Sequence, residues 1–262
     1  MRQFLFRLIL LLLVVLVIFG LYRLLTIRPL DNVAFFSDQS GLAAVDSAGS
    51  VDASPHTLAA FDAARQAGAN ALYLPVDLTR DGVLIVTDAD VSELALAELA
   101  AVDTFAGAVT LQEALTAFPE LRAIVVLRQP SLQGVAALLQ AIDANDARDR
   151  VLAVVDHPLL AGILREQAPD LGTAATGAEA ASFLTTQRLR LTPFYRPAAP
   201  AMLLPGEQIN RRLIQAAHSR GIHLLALSSQ QGSAAVQALV DAGIDGVVVS
   251  DPALLADLHW PD

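Results

Sequence analysis

The chain has 262 residues, 54% of them hydrophobic and 17% charged, a length that suits one (β/α)8 barrel or two smaller domains. It contains no cysteine, which excludes disulfides and thiolate metal sites. Its formal charge is −10, and the four arginines of the first thirty residues leave −14 on the rest, an acidity that repels phosphate backbones and excludes nucleic acid as a partner.

The first element is an apolar run. Residues 8–22 (LILLLLVVLVIFGLY) lie between Arg7 and Arg23 without a polar side chain. Extended to Phe4 and Ile27, the segment has 24 residues, about 36 Å as a helix, enough for the roughly 30 Å hydrocarbon core if the arginines near its ends snorkel. No small-residue cleavage site follows in LYRLLTIRPLD. The expectation is an uncleaved, single-pass signal-anchor: a transmembrane helix within residues 1–29, the lipid bilayer engaged through residues 4–27, and the remainder on the extracytoplasmic, periplasmic side. A cleaved signal peptide and a buried core helix are the alternatives. Residues 30–41 are polar and turn-rich, as expected of a juxtamembrane linker.

From residue 42 to 262, short apolar runs alternate with amphipathic stretches. Strands are predicted over 42–45, 71–76, 83–86, 123–127, 151–155, 171–174, 189–191 with 201–204, 222–227 and 246–249. Helices are predicted over 57–67, 111–118, 132–144, 158–167, 208–220, 233–242 and 252–258. Near-continuous apolar strands alternating with helices signal a parallel sheet covered by helices. About eight such repeats predict an α/β fold, a (β/α)8 TIM barrel. A dinucleotide-binding sheet is disfavoured, because no Gly-x-Gly-x-x-Gly follows a strand.

The stretch HTLAAFDAARQAGANALYLPVDLTRDGVLIVTDAD, residues 56–90, resembles the central signature of the glycerophosphodiester phosphodiesterases. That signature runs ENTLAAF, a helix to GAD, I-E-x-D-V-x-L-T-x-D-G, and a strand ending His-Asp. Thr57 to Phe61, Gly68-Ala69, Leu78-Thr79 and Asp81-Gly82 keep its frame without a gap. RVLAVVDHPLLAGILREQAPDLG, LTPFYRPAAPAMLLP and the closing AAHSRGIHLLALSSQ…VDAGIDGVVVSDPALL are similar to later units of the same family, so the resemblance spans residues 42–262.

The resemblance implies metal-assisted phosphodiester cleavage, with carboxylates converging on a divalent cation and two histidines moving protons. Such groups project from the carboxyl ends of barrel strands. Carried over residue by residue, however, the functional positions hold other side chains. His-Arg-Gly falls on Asp46, Ser47 and Ala48; the Glu and Asp of I-E-x-D fall on Tyr73 and Pro75. His-Asp falls on Asp88 and Ala89, E-x-K on Val126 and Arg128, and the tryptophan of a late strand on Leu227. Tyrosine, proline and valine cannot supply the hard oxygen ligands that Mg²⁺ or Ca²⁺ takes. The divalent cation is therefore expected to be lost, with no other cofactor and no metal site in its place.

Outside these positions the sequence offers little chemistry. His56, His157, His218, His223 and His259 lie at no metal-ligand spacing. His56 reads as a neighbour of a helix cap, and His218 and His223 as surface or capping groups. Asp77, Asp81, Asp88 and Asp90 form an acidic run whose Asp81-Gly82 is first a turn signal. Arg188, Arg190, Arg211 and Arg212 read as solvated faces. The expected function is that of a membrane-anchored pseudoenzyme that binds a partner protein or a lipid-derived ligand, with Asp46, Asp88 and Arg128 as candidate ligand-binding residues. Two alternatives stand beside it: an active phosphodiesterase with a site relocated to Asp46, Asp88 and Arg128, and a structural subunit of an envelope complex.

Overall fold

The computed structural model describes residues 4, 6–7, 10–11, 14–15, 30, 33–37, 41–46, 54–99, 101–102, 105, 107–228, 232–256 and 258–260. Nine strands form one sheet: β1 Leu42–Asp46, β2 Ala71–Leu78, β3 Leu84–Val86, β4 Arg122–Leu127, β5 Val151–Val155, β6 Gly172–Thr173, β7 Ala201–Pro205, β8 His223–Leu227 and β9 Gly246–Val249. All but β3 run parallel, in the order β6-β5-β4-β2-β1-β9-β8-β7. The ring closes where Ala174 bridges Ala201 and the Ala175 amide donates to the Ala201 carbonyl at 2.7 Å. The eight-stranded parallel barrel expected from the sequence is thus present. β3 is an addition that folds back antiparallel on β2.

Nine α-helices are described: α1 Leu58–Gln66, α2 Leu96–Leu99, α3 Leu111–Ala117, α4 Leu132–Ala144, α5 Pro158–Gln167, α6 Gly177–Arg188, α7 Arg211–His218, α8 Ser233–Asp241 and α9 Ala253–Ala256. Their starts are set locally. Thr57, Thr110, Ser131, His157, Thr176 and Asn210 each accept a first-turn amide with their own side chain, which satisfies a donor the helix cannot. The strands are buried on both faces. One set of side chains packs outward under the helices, among them Leu72, Leu74, Val125, Ala153, Leu224 and Val247. The alternate set fills the barrel, among them Leu42, Ala44, Ile124, Leu152, Leu225 and Val248.

Residues 33–37, expected in the linker, contribute to that interior. A 3-10 turn, Ala34–Phe36, buries Phe35 and Phe36 at the amino-terminal end of the barrel. Arg122 lies over the Phe35 ring at 5.9 Å. The His223 ring stacks on Phe36 with centroids 4.0 Å apart.

Three sequence expectations are corrected. Residues 189–191 are not a strand: α6 ends at Arg188, Arg190 takes a φ of 58°, and a 3-10 turn follows at Thr192–Phe194. The apolar alternation Leu-Arg-Leu mimics a strand but belongs to a helix end. α6 itself was not predicted, because only Ala180 and Phe183 of its face are buried and no apolar stripe marks it. Its Thr176/Glu179 capping box was the available signal.

The third correction is the anchor. Among the described residues no helix is long and apolar enough to cross a membrane, which overturns the single-pass signal-anchor and the extracytoplasmic placement built on it. The uninterrupted apolar run between Arg7 and Arg23 is fifteen residues, about 22 Å as a helix, so a span of the roughly 30 Å core would have to draw one or both arginines into the helix. The remainder of residues 4–27 and of the linker lies outside the described residues.

The barrel floor carries a polar clamp. The Asp245 carboxylate accepts from His218 Nε2 at 2.7 Å, His223 Nδ1 at 2.8 Å and the Leu224 amide at 2.8 Å. Burial would push this carboxyl up, yet the two imidazole hydrogen bonds outweigh it and hold it at about 2. The hydrogen bond to Asp245 raises His218, against partial burial. The raised His218 adds stability below its ordinary 6.5 that is lost as pH climbs through its folded value. The lowered Asp245 adds stability above its ordinary 3.8 that is lost as pH falls through about 2. Thermal melts across pH should therefore show the clamp's contribution greatest between 3.8 and 6.5. Asp245→Asn should remove that dependence and cost on the order of 2–3 kcal/mol; an unchanged profile would contradict the assignment.

Candidate functional site at the barrel mouth

Each parallel strand delivers its last residues to the carboxyl-terminal mouth, where active sites of such barrels sit. The register decides which side chains meet there. Asp46, last in β1, stands opposite Tyr73 of β2, and Pro75 of β2 stands opposite Val126 of β4. Tyr73 and Val126 pack against the cluster that fills the barrel, so both face inward. Asp88 enters from the turn after β3, next to Thr87, whose amide donates to the Pro75 carbonyl at 2.9 Å. Ser47 and Ala48 lie outside the described residues.

Tyr73 reports the local field. Burial is the main cause that pushes its phenol up to about 12, and the charges of Asp46 and Asp88 push it the same way. The two aspartates therefore both act on one neutral hydroxyl. Arg128 is exposed, and its field reaches Asp90 rather than Tyr73. Of the three candidate ligand-binding residues, the structure gathers Asp46 and Asp88 around Tyr73 and leaves Arg128 at the rim.

It also adds one group that sequence reasoning set aside. His56 Nε2 lies 3.0 Å from Asp88 Oδ2, with the His56 side chain 11% exposed and that of Asp88 55%. His56 holds a φ of 58°, a conformation that costs a non-glycine residue energy unless its surroundings fix it. It precedes Thr57, the N-cap of α1, and stands where the family signature has asparagine. The available signal was a titratable side chain immediately before the N-cap of a predicted helix. The other histidines are elsewhere: His157 caps α5, and His218 and His223 serve the floor clamp.

The acidic run is largely committed to structure. Asp77 is 1% exposed and accepts from the Leu78 amide at 2.9 Å, Gln129 Nε2 at 3.3 Å and the Val91 amide at 3.4 Å. Asp81 accepts from the Leu96 amide and Asp90 from the Ser92 amide and hydroxyl. Among the described residues no three His, Asp or Glu side chains converge as a metal-binding group. The side chains that the sequence resemblance sets at metal positions, Tyr73, Pro75 and Val126, do not fit a divalent cation either. A phenol held near 12 stays protonated, a proline has no donor, and a valine is apolar.

No protein-family model matches the chain, and no curated protein sequence does. Solved structures do. A phosphodiesterase from Oleispira antarctica, in complex with the product sn-glycerol-3-phosphate, superposes with a TM-score of 0.69 at 16% identity, covering 86% of this chain and 98% of that one. The glycerophosphodiester phosphodiesterase of Agrobacterium tumefaciens gives 0.66 at 18% identity, over 82% and 97%. The glycerophosphoryl diester phosphodiesterase domain of a Mycobacterium tuberculosis protein gives 0.68 at 14% identity, over 81% and 97%. The chain has the fold of the glycerophosphodiester phosphodiesterases. The resemblance drawn from residues 56–90 is borne out at that level, over nearly the whole length of these proteins. Identities this low carry the architecture and leave the chemistry to the residues.

Two measurements test the mouth. Ultraviolet titration, with Tyr73→Phe subtracted, should give a phenol ionising at about 12. Asp46→Asn and Asp88→Asn together should lower it only part of the way to 10.0, because burial is the larger cause. A tyrosine titrating at its ordinary value would refute this arrangement. Thermal melts with and without millimolar Ca²⁺ or Mg²⁺ should superimpose, whereas a clear upward shift would reveal cation binding to the native state.

Proposed function

We propose that this chain is a glycerophosphodiester phosphodiesterase-type barrel that has abandoned the family's metal-dependent hydrolysis and acts by binding, at its mouth, a lipid-derived ligand or a partner protein. The observation that carries the reading is Tyr73. It occupies the position of the family's first metal-ligating carboxylate, is held neutral, and has Pro75 and Val126 beside it in the same register. A site built this way sets Asp46 and Asp88 around a neutral phenol, with a proline and a valine where further carboxylates would have to stand to anchor a cation. The Oleispira antarctica relative in fold binds sn-glycerol-3-phosphate, which supports a glycerol-bearing or lipid-derived molecule as the ligand class.

A second reading is favoured by one specific observation, the His56–Asp88 pair at 3.0 Å. A shielded imidazole oriented by a carboxylate is the arrangement of a general acid–base, and it lies beside the mouth. In that reading the protein is a hydrolase with a relocated, metal-independent site in which His56 moves the proton, Asp88 orients it and Asp46 and Tyr73 hold the substrate. A structural role in an envelope complex has no observation of its own.

The deciding experiment is an assay of the purified full-length protein on glycerophosphodiesters, following release of glycerol 3-phosphate with and without divalent cations. The binding reading expects a rate at background under both conditions, since acid–base groups contribute about 10²- to 10⁴-fold each and a catalytic metal several kcal/mol more. Metal-independent release that Asp88→Asn and His56→Asn both lower at least tenfold would install the relocated hydrolase instead. Metal-dependent release would refute both readings.

A further inference from the structure

We infer that the turn between α6 and β7, on the face opposite the mouth, is a docking surface for a polypeptide that presents carboxylates between apolar side chains. The turn leaves the carboxyl end of α6 and delivers the chain to the start of β7, which places it at the amino-terminal end of the barrel. Ala198 and Pro200, farther along it, line a cavity with Val33 and Ala34 of the floor turn.

Its composition is at odds with the rest of the molecule. No acidic residue occurs from 180 to 206, whereas Arg188, Arg190 and Arg196 all do, in a chain of net charge −10. All three are exposed, and none makes an ion pair among the described residues. Three large apolar side chains of the turn are exposed beside them: Leu189 is 64% exposed, Leu191 46% and Phe194 41%. Single exposed apolar residues are ordinary. Three of them interleaved with three unpaired guanidiniums, in an otherwise acidic protein, make a surface complementary to an acidic, partly apolar one. Arginine and aromatic residues are what protein interfaces concentrate, and the guanidinium fork takes a carboxylate on two bonds.

The turn is also held rigidly. The Arg190, Leu191, Phe194 and Tyr195 amides all donate back along the chain at 2.9–3.0 Å. The Tyr195 hydroxyl donates to the Glu179 carbonyl at 3.2 Å, and its ring meets Phe183 edge-on at 5.1 Å. Arg190 sits at a φ of 58° just past the end of α6. A preordered display lowers the entropic cost of docking onto a partner with a defined surface, whereas a fluid bilayer rewards no such order. A polypeptide is therefore favoured over an anionic lipid surface. The proposal concerns the floor of the barrel and stands whichever reading of the mouth holds.

The test uses the full-length protein and a fluorescein-labelled peptide of alternating glutamate and leucine with one tryptophan, beside the same peptide with glutamine for glutamate. Fluorescence anisotropy should give saturable binding of the acidic peptide that weakens as salt rises, and weaker binding of the glutamine peptide. Arg188→Glu/Arg190→Glu/Arg196→Glu should reduce acidic-peptide affinity about tenfold or more, the scale of an interface hot spot, with an unchanged thermal melt. Arg190→Gly removes one cation at a φ that glycine adopts freely, so it should weaken binding without loss of stability. Equal affinity for both peptides, or full binding by the triple variant, would overturn the proposal. So would binding confined to phosphatidylglycerol vesicles and sensitive to the same substitutions, which would make the partner a bilayer.

Discussion

The register of β1, β2 and β4 is the constraint from which the mouth follows. In a closed parallel barrel the shear is fixed, so a residue at a strand end cannot choose its neighbours. Asp46 must face Tyr73, and Pro75 must face Val126. Alternation along each strand then decides which of them point inward. The same geometry that would gather carboxylates around a cation gathers here two aspartates around a buried phenol. These side chains top the layers of Leu42, Ala44, Ile124, Leu152 and Leu225 that fill the barrel.

The fold depends little on which side chains stand at the mouth. Stability resides in apolar burial between sheet and helices and in the helix caps, whereas chemistry resides in side chains that contribute little packing. Tyr73, Pro75 and Val126 put largely apolar surface at the mouth. The cost falls on electrostatics. Burial and the charges of Asp46 and Asp88 raise the Tyr73 phenol, and Asp88 takes His56 as its partner.

The opposite end of the barrel is closed by a different device. Phe35 and Phe36 enter from the preceding segment, and the start of β8 meets them with His223, whose ring is oriented by Asp245. Gly246 is needed close by: a Cβ there would stand 2.6 Å from that of Leu42 and 2.7 Å from Leu225. Close packing below and a polar clamp beside it leave the floor rigid, and the α6–β7 turn is displayed from that rigid base.

The sequence by itself determined the barrel. Apolar runs at 71–76, 123–127, 151–155 and 222–227, each followed by a helical period, permit few other closed arrangements, and the frame around Thr57 to Phe61 and Asp81-Gly82 pointed to the fold of the glycerophosphodiester phosphodiesterases. It determined equally that Asp46, Tyr73, Pro75 and Val126 lie on the strands that lead to the mouth, with Asp88 just after β3. What it missed were elements without their own period: α6, with two buried side chains, and the helix end at 189–191 that alternates like a strand. The apolar amino-terminal run likewise suggested a span that the described structure does not contain. Only the tertiary structure paired His56 with Asp88, 32 residues away, and brought His218 and His223 onto Asp245 across 27 and 22. Hydrophobic periodicity is a local property and survives in the sequence. Which polar groups meet is set by barrel closure and strand register, and those exist only once the chain has folded.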